Sequence, residues 1–276
     1  MAIVGQFSHT EIVRLIRFYE KAEYELLNRV NRALLRGNSI EYLKQMKQAV
    51  NAILQSLREG NKTWCLEAIP RVYLDGVRYA DGLLKEARVE ITTSFGAVHQ
   101  FAAQVLAENV YQRLEDVTQV IGRQVNDIYR QLALENIRGS TIGYDTWKQV
   151  AQQIRQQIAE RGITGFIDRQ GKRWNLSSYT AMVARTSTME AHLEGTRNRL
   201  LEQGHDLIVV SDHRGECELC RPWEGRVLSL SGRTPHYPTL AEAKAAGLFH
   251  PNCRHTYSLY LDLEKETRKE TGEGKS

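Results

Sequence analysis

The chain carries two short clusters of soft metal ligands, CELC at residues 217–220 and HPNCRH at residues 250–255. Two cysteines separated by two residues can turn both sulfurs toward one point and form half of a tetrahedral site, which a second pair completes. Zn²⁺ accepts such a mixture of thiolate and imidazole ligands. Because the second cluster places Cys253 between two histidines, the spacing favours a metal site, with a disulfide, a reduced pair and coincidence as the alternatives.

Five candidate ligands compete for the four places of a closed zinc site. Cys217, Cys220 and Cys253 come first, since thiolates dominate such sites. His250 stands at the same spacing from Cys253 as the two members of the first pair, and it is the preferred fourth ligand, with His255 as the alternative. A catalytic zinc keeps one position open for water, whereas three cysteines and a spare histidine predict a closed, structural site.

Composition limits what else the chain can be. With 276 residues, 42% of them hydrophobic and 25% charged, the sequence predicts two domains, or one large domain with an extended arm. A net charge of +4 does not by itself argue for nucleic acid. The first residues lack the pattern of a signal peptide, and no stretch approaches the roughly 18 consecutive apolar residues of a membrane span. We therefore expect synthesis in the cytoplasm, with reduced cysteines and no membrane partner.

The first half of the sequence predicts helices almost throughout. Apolar residues recur at steps of three and four from Ser8, a good N-cap, to a stop at Gly37. The pattern begins again at Ser39 and is predicted to end at Gly60-Asn61. Two helices of similar length joined by a short loop would form an antiparallel hairpin.

Two further helices are predicted before a boundary at residues 136–143. The first, residues 64–84, contains Pro70 and should start or kink there. The second, residues 98–132, keeps its apolar stripe for about ten turns, on the order of 55–60 Å if unbroken. Such a helix favours a bundle, or an arm that contacts a partner or a second copy of the chain.

The second half predicts a small α+β domain. Its elements, in order, are a helix over residues 144–160, a hairpin around residues 168–171, a helix over residues 179–203 capped by Ser177, and strands over residues 207–210 and 255–263. The last dozen residues have almost no apolar side chains and predict a disordered polar tail.

Polar residues near the two clusters leave an enzymatic alternative. Asp212 and His213 precede the first cluster, and Glu224 and His236 lie between the two. A metal-dependent hydrolase, such as a nuclease or a toxin, could use such groups, but it needs an open metal position and a base at a defined distance. A turn and hydrogen bonds to the metal ligands explain Asp212 and His213 more simply. No residue is therefore predicted to be catalytic.

Four motifs, in order along the chain, carry a family resemblance. They are GFIDRQGKRWNLSSY at residues 165–179, ARTS at 184–187, CELCRPWEG at 217–225 and GLFHPNCRH at 247–255. Together they resemble the minor capsid protein 2 family of tailed phages, which is related to the phage Mu F-like head morphogenesis proteins. The likeness covers about residues 140–260.

The resemblance implies that two of the family's motifs fall on Arg185-Thr186-Ser187 and Asn252-Cys253-Arg254 of this chain. Many Mu F-like relatives place a second cysteine where this chain has His255, a substitution that zinc would tolerate. The resemblance implies a structural virion protein, present in few copies, that acts in head assembly or DNA delivery. It also implies residence in the head interior or at the portal vertex, after synthesis in the host cytoplasm.

The expected partners are the portal protein and other head proteins, and packaged DNA and a second copy of the chain are further candidates. The expected fold is mainly α. An elongated helical region, residues 1–138, would contact the portal or another partner. A small α+β, zinc-stapled domain, residues 139–263, would follow, and then the polar tail, residues 264–276.

Overall fold

The computed structural model describes residues 3–36, 40–92, 96–142, 145–162, 166–167, 173–212 and 217–261. The helices are α1 (Ile3–Arg36), α2 (Ile40–Glu86), α3 (Ala97–Ile142), α4 (Asp145–Arg161), α5 (Leu176–Glu202) and α6 (Leu240–Ala245). The strands are β1 (Phe166–Ile167), β2 (Arg173–Trp174), β3 (Leu207–Val210), β4 (Val227–Ser229) and β5 (Tyr257–Leu259). The prediction of a mainly α fold with a small sheet is confirmed. Within these ranges no helix is both long and apolar enough to cross a membrane.

The longest helix contradicts the predicted break at Gly60-Asn61, because α2 runs through both residues and through Pro70. A side chain at position 60 would collide with the ring of Phe18. The Asn61 amide donates a buried hydrogen bond of 3.2 Å to the hydroxyl of Thr118. Both residues therefore serve contacts between helices, and the tertiary contacts override their weak helix propensity.

Two predicted helix starts were also wrong. Helix α1 begins at Ile3, so Ser8 lies inside it. Helix α5 begins before Ser177, and its cap is Asn175, whose side-chain oxygen accepts a hydrogen bond of 2.7 Å from the amide of Ser178. An asparagine in this position satisfies one of the free amides of the first turn as well as a serine would.

The chain forms two compact units, each built from separate stretches. The helical unit comprises Ser8–Glu67 and Ala107–Ala184, and the mixed unit comprises Met1–Phe7, Ala68–Leu106 and Arg185–Ser276. Helices α2 and α3 contribute residues to both units, and α3 continues to Ile142, through most of the predicted boundary. The division of the sequence after residue 138 stays a prediction, and the predicted tail lies outside the described residues.

In the helical unit, apolar side chains of α1, α2 and α3 are buried at helical spacing. The Trp64 indole donates a hydrogen bond of 3.0 Å to the carbonyl of Glu11, which joins α1 to α2. The ion pair between Arg58 and Glu115, at 2.9 Å, joins α2 to α3. Strands β1 and β2 pair antiparallel as the predicted hairpin, whose loop, residues 168–172, lies outside the described ranges.

In the mixed unit, α2 and α5 cross in direct backbone contact. A Cβ on Gly76 would collide with the carbonyl oxygen of His192, and one on Gly195 would collide with that of Tyr73. The Thr196 hydroxyl lies 3.1 Å from the carbonyl oxygen of Gly76 and 2.9 Å from that of His192, so it links the two backbones. Only glycine permits so close a crossing.

A three-stranded antiparallel sheet of order β4-β3-β5 completes the mixed unit. Its central residue Ile208 is fully buried among apolar residues of α2, α5 and α6. Just beyond the paired residues, Ser211 and Thr256 exchange two hydrogen bonds of 2.9 Å. This end of the sheet brings the chain leading to the first ligand cluster beside the last residue of the second, His255.

Candidate metal centre

Two tight backbone turns carry the predicted ligands. In the first, the amides of Cys220 and Arg221 donate hydrogen bonds of 3.1 and 2.9 Å to the carbonyl of Cys217. In the second, the amide of Cys253 donates a hydrogen bond of 2.9 Å to the carbonyl of His250. Each turn therefore fixes the distance between the two candidate ligands that it carries.

The five candidate ligands form two groups of three that share Cys220. The ligand atoms of Cys217, Cys220 and His250 lie within 4.8 Å of one another, and so do those of Cys220, Cys253 and His255. The sulfurs of Cys220 and Cys253 are 3.6 Å apart, well beyond the bond of about 2 Å in a disulfide. The residues can therefore hold a metal ion.

Each of the three sulfurs accepts a hydrogen bond from at least one backbone amide. Cys217 accepts from the amides of Cys220 and Leu219, Cys220 accepts from that of Phe249, and Cys253 accepts from that of His255 at 3.4 Å. Amide donors stabilise the thiolate, which is the form of cysteine that binds metals. These amides would help to stabilise the three thiolates once a cation is bound.

The pKa values of Cys217 and Cys220 are shifted in opposite directions. Burial raises the pKa of Cys217, but hydrogen bonds from the amide of Cys220 and from His250 outweigh it, so the pKa lies below its usual value. Burial and the neighbouring Cys253 raise the pKa of Cys220 to about 12. Two adjacent thiols oppose each other's ionisation, and a bound cation reverses that effect.

His250 lies on a strained turn at the edge of the cluster. Its Nε2 is 2.9 Å from the sulfur of Cys217, and its Nδ1 donates a hydrogen bond of 2.9 Å to the carbonyl of Pro251. The flanking residues Phe249 and Asn252 have φ values of 61° and 64°. A left-handed phenylalanine costs on the order of 1–2 kcal/mol, and such strain tends to collect at functional sites.

His255 is buried and lies two residues before the start of β5. Its Nδ1 is 3.3 Å from the sulfur of Cys253, and its Nε2 is 2.6 Å from a carboxylate oxygen of Glu224. One ring nitrogen thus faces sulfur while the other is held by a carboxylate. This arrangement fixes the tautomer and ring orientation of histidines that bind metals.

The two motifs assigned by the family resemblance contact each other. The amide of Asn252 donates a hydrogen bond of 3.2 Å to the hydroxyl oxygen of Thr186. Ser187 is buried, and its hydroxyl has no partner among the described residues, whereas Arg185 and Arg254 are exposed. The second ligand turn is therefore attached to α5 through these motifs.

The residues considered for hydrolysis do not gather around the cluster as a set. Glu224 lies beside it, but its carboxylate is engaged with His255. Asp212 and His236 are exposed, and His236 has a φ of 73° in a surface turn. His213 lies outside the described residues.

A second polar cluster in the mixed unit was not predicted from the sequence. The Tyr73 hydroxyl donates a hydrogen bond of 2.8 Å to Nδ1 of His99, whose Nε2 lies 3.1 Å from Glu202. Arg199 connects Glu202, at 2.5 Å, to Asp81, at 2.6 Å. The contacts join residues 3 to 118 positions apart on α2, α3 and α5, so no local motif reveals them. Because His99 and Arg199 are buried, this cluster fastens three helices together.

Comparisons with known proteins agree with the four motifs. A family model described as phage minor capsid protein 2 matches residues 6–270. A relative from Lactococcus phage LL-H, named "Structural protein", is 23% identical over 144 residues, which cover 49% of this chain and 39% of the relative. The chain thus spans about two fifths of the length of the curated relative it matches. No solved structure matches it. The resemblance is confirmed, and the chain belongs to the phage minor capsid protein 2 family, with a structural role in the phage.

Proposed function

We propose that the chain is a minor component of the phage head, located in the head interior or at the portal vertex, where it acts in head assembly or DNA delivery. The family match over residues 6–270 carries this proposal. The proposed partners are the portal protein and other head proteins. The proposed role is structural and not enzymatic, in keeping with the family description, and the carboxylate beside the metal cluster, Glu224, is engaged with His255.

The long helices support a contact with a partner. Helices α2 and α3 have 47 and 46 residues, on the order of 70 Å each at 1.5 Å per residue. Near its start, α3 exposes Val98, Phe101 and Val105, with exposed fractions of 72%, 70% and 42%. Their spacing places them on one side of the helix. We propose this apolar stripe as the contact with the portal protein.

Two measurements test the proposed role. Mass spectrometry of purified virions should detect the protein in the head, and its absence from virions would overturn the proposal. Affinity purification of the chain coexpressed with the portal protein should recover both, and a Val98→Ser/Phe101→Ser variant should lose the portal protein. Leu134→Ser is the matched control, because Leu134 is 56% exposed on the same helix but lies outside the stripe. Loss of binding in the control alone would place the contact elsewhere on α3.

We also propose that the metal centre holds one structural zinc ion. Thiolate and imidazole ligands suit zinc, and each of the three sulfurs accepts a hydrogen bond from at least one backbone amide, which would stabilise the metal-bound thiolates. Cys217, Cys220 and Cys253 would provide three ligands, and His250 or His255 the fourth. When bound, the ion would cross-link the two ligand turns, since each turn would supply ligands to it. The first turn precedes β4 and the second precedes β5.

Metal analysis tests this centre. The purified chain should contain one zinc per molecule, and Cys217→Ser and Cys253→Ser should each lose it together with stability of the mixed unit, since binding energy at such sites is largely folding energy. Zinc retained at full stoichiometry in both variants would refute the ligand assignment.

A further inference from the structure

We propose that His255, oriented by Glu224, is the fourth zinc ligand, and that His250 lies outside the coordination shell as a hydrogen-bond partner of Cys217. This inference rests on the zinc centre proposed above and decides between its two histidines. It departs from the sequence prediction, in which spacing favoured His250.

The bond lengths of a tetrahedral zinc site set the distances between its ligand atoms. With Zn–S bonds of about 2.3 Å and Zn–N bonds of about 2.05 Å, two sulfurs lie about 3.8 Å apart, and a sulfur and a nitrogen lie about 3.6 Å apart. The sulfurs of Cys220 and Cys253 are 3.6 Å apart, and Nδ1 of His255 is 3.3 Å from the sulfur of Cys253. Both distances agree with a shared ion to within about 0.3 Å.

The pair formed by Cys217 and His250 does not have the spacing of two zinc ligands. Nε2 of His250 is 2.9 Å from the sulfur of Cys217. That is about 0.7 Å shorter than the separation of two ligands on one tetrahedral zinc. We infer that a direct hydrogen bond, and not a shared ion, joins Cys217 and His250. The sulfur of Cys217 lies within 4.8 Å of that of Cys220 but forms no group with Cys253 and His255, so we propose that it moves toward the ion on binding.

The two histidines also differ in how firmly they are held. His255 is 3% exposed and directly precedes Thr256, which is locked to Ser211 by two hydrogen bonds. His250 is only half-buried and lies in a loop with left-handed residues on both sides. A ligand attached to a rigid strand end keeps its position before the metal arrives, so less ordering is required on binding.

Glu224 completes the argument for His255. Its carboxylate is 2.6 Å from Nε2, a short hydrogen bond that holds the proton on Nε2 and turns the unprotonated Nδ1 toward the sulfur of Cys253. Glu224 directly follows the 3-10 turn Arg221–Trp223, which begins after Cys220. The first ligand loop thus supplies two cysteines and also the carboxylate that orients a ligand of the second loop.

Metal affinity of the full chain tests the assignment, with competition by a chromophoric chelator for Zn²⁺ and the visible spectrum of the Co²⁺ form as readouts. We expect His255→Ala to weaken zinc binding at least 100-fold and to lower the intensity of the tetrahedral cobalt bands. We expect Glu224→Gln to weaken zinc binding about 10- to 100-fold. His250→Ala removes a hydrogen-bond partner of Cys217 and not a ligand, so it should weaken zinc binding about 10-fold, clearly less than His255→Ala, and should leave the intensity of the tetrahedral cobalt bands unchanged.

A rescue variant keeps the test decisive if His255→Ala fails to fold. His255→Cys should retain zinc, and its cobalt spectrum should gain the stronger sulfur-to-metal bands of a fourth thiolate, whereas His250→Cys should leave the spectrum unchanged. Loss of zinc in His250→Ala with retention in His255→Ala would overturn the assignment but leave the zinc centre standing. A metal-free wild-type chain would overturn both, while detection in virions would still decide the role in the phage head.

Discussion

The helical unit and the mixed unit are stabilised by different kinds of contact. Among the described residues, the buried polar side chains of the helical unit are Glu11, Asn61, Thr118 and Thr180. Those of the mixed unit are His99, Ser187, Thr188, His192, Thr196, Arg199, Ser229 and His255. Long helices bury enough apolar surface along their stripes, whereas strands of three or four residues do not. The mixed unit therefore depends on directional contacts, which are sensitive to pH, metals and small changes of shape.

Removal of zinc should have the largest effect, and it should act on the mixed unit. A ligand that binds only the folded state stabilises it by about 4 kcal/mol when its free concentration is about 1,000 times Kd. Chelation should therefore shift the unfolding transition reported by Trp223, which packs against the apolar core that contains Cys220, and leave that of Trp64 in place. Fluorescence of single-tryptophan variants in urea measures both. Equal shifts of the two transitions would break the contrast between the units.

The helix crossing of the mixed unit should be the next most sensitive feature. Gly76→Ala places a methyl group against the backbone carbonyl of His192, which cannot move aside, so we expect a loss of about 3 kcal/mol in the free energy of unfolding. Gly82→Ala on the same helix meets nothing within 4 Å and should stabilise the chain by about 0.5–1 kcal/mol. Thermal or urea unfolding of the two variants provides the comparison. A neutral Gly76→Ala variant would contradict the close crossing.

Acid should weaken the mixed unit through His192. Burial lowers the pKa of this histidine to about 4, and its Nε2 has no hydrogen-bond partner among the described residues. In the unfolded chain His192 has a pKa near 6.5, so it takes up its proton at a higher pH than in the folded chain. The free energy of unfolding is therefore highest above about pH 6.5 and declines toward pH 4. The loss should reach about 2 kcal/mol at pH 5.

His192→Phe keeps a ring beside Tyr79 but removes the ionisable group. Its free energy of unfolding should therefore lose this part of the pH dependence, while the wild-type chain retains it. Urea unfolding at pH 7 and pH 5 measures the difference between the two chains. Parallel pH profiles would show that the proton is taken up equally in the folded and unfolded states.

The smallest effect is expected at a glycine of the helical unit. A Cβ on Gly122 would lie 3.2 Å from the terminal Cδ1 of Leu54, a flexible group that can shift by a few tenths of an ångström. Gly122→Ala should therefore change stability by less than about 1 kcal/mol, because the gain in helix propensity offsets the crowding. Calorimetry of this variant beside Gly76→Ala compares the packing tolerance of the two units directly. A loss as large as that of Gly76→Ala would show that both units are equally tightly packed.

The features that could be predicted from the sequence were local. The ligand spacings, the hairpin and the order of motifs depend on residues close together in the chain, and the metal cluster and the family followed from them. The choice that we propose between His250 and His255 could not be made from the sequence, because Glu224 and His255 are 31 positions apart and meet only in the folded chain. The continuity of α2 was missed for the same reason, since Gly60 and Asn61 are explained by their partners on α1 and α3.

One missed element did have a local signal. Helix α6 begins with a capping box in which Thr239 and Glu242 each accept a hydrogen bond from the other's backbone amide. The pattern of threonine followed by glutamate three residues later was visible in the sequence. Strand β4, by contrast, is only three residues long and becomes a strand by pairing with β3. Predicting β4 would have required knowing that residues 227–229 pair with β3.

The interleaving of the two units has a consequence for synthesis on the ribosome. Residues 68–106 emerge long before α5, although Asp81 and Tyr73 find their partners there, 118 and 125 positions later. The apolar face of the second half of α2 therefore cannot pack against α5 until about a hundred further residues have been made. We expect the helical unit to close first, once residue 184 is available, and the mixed unit to fold last and most slowly. During that interval the nascent chain is most exposed to aggregation and most dependent on chaperones.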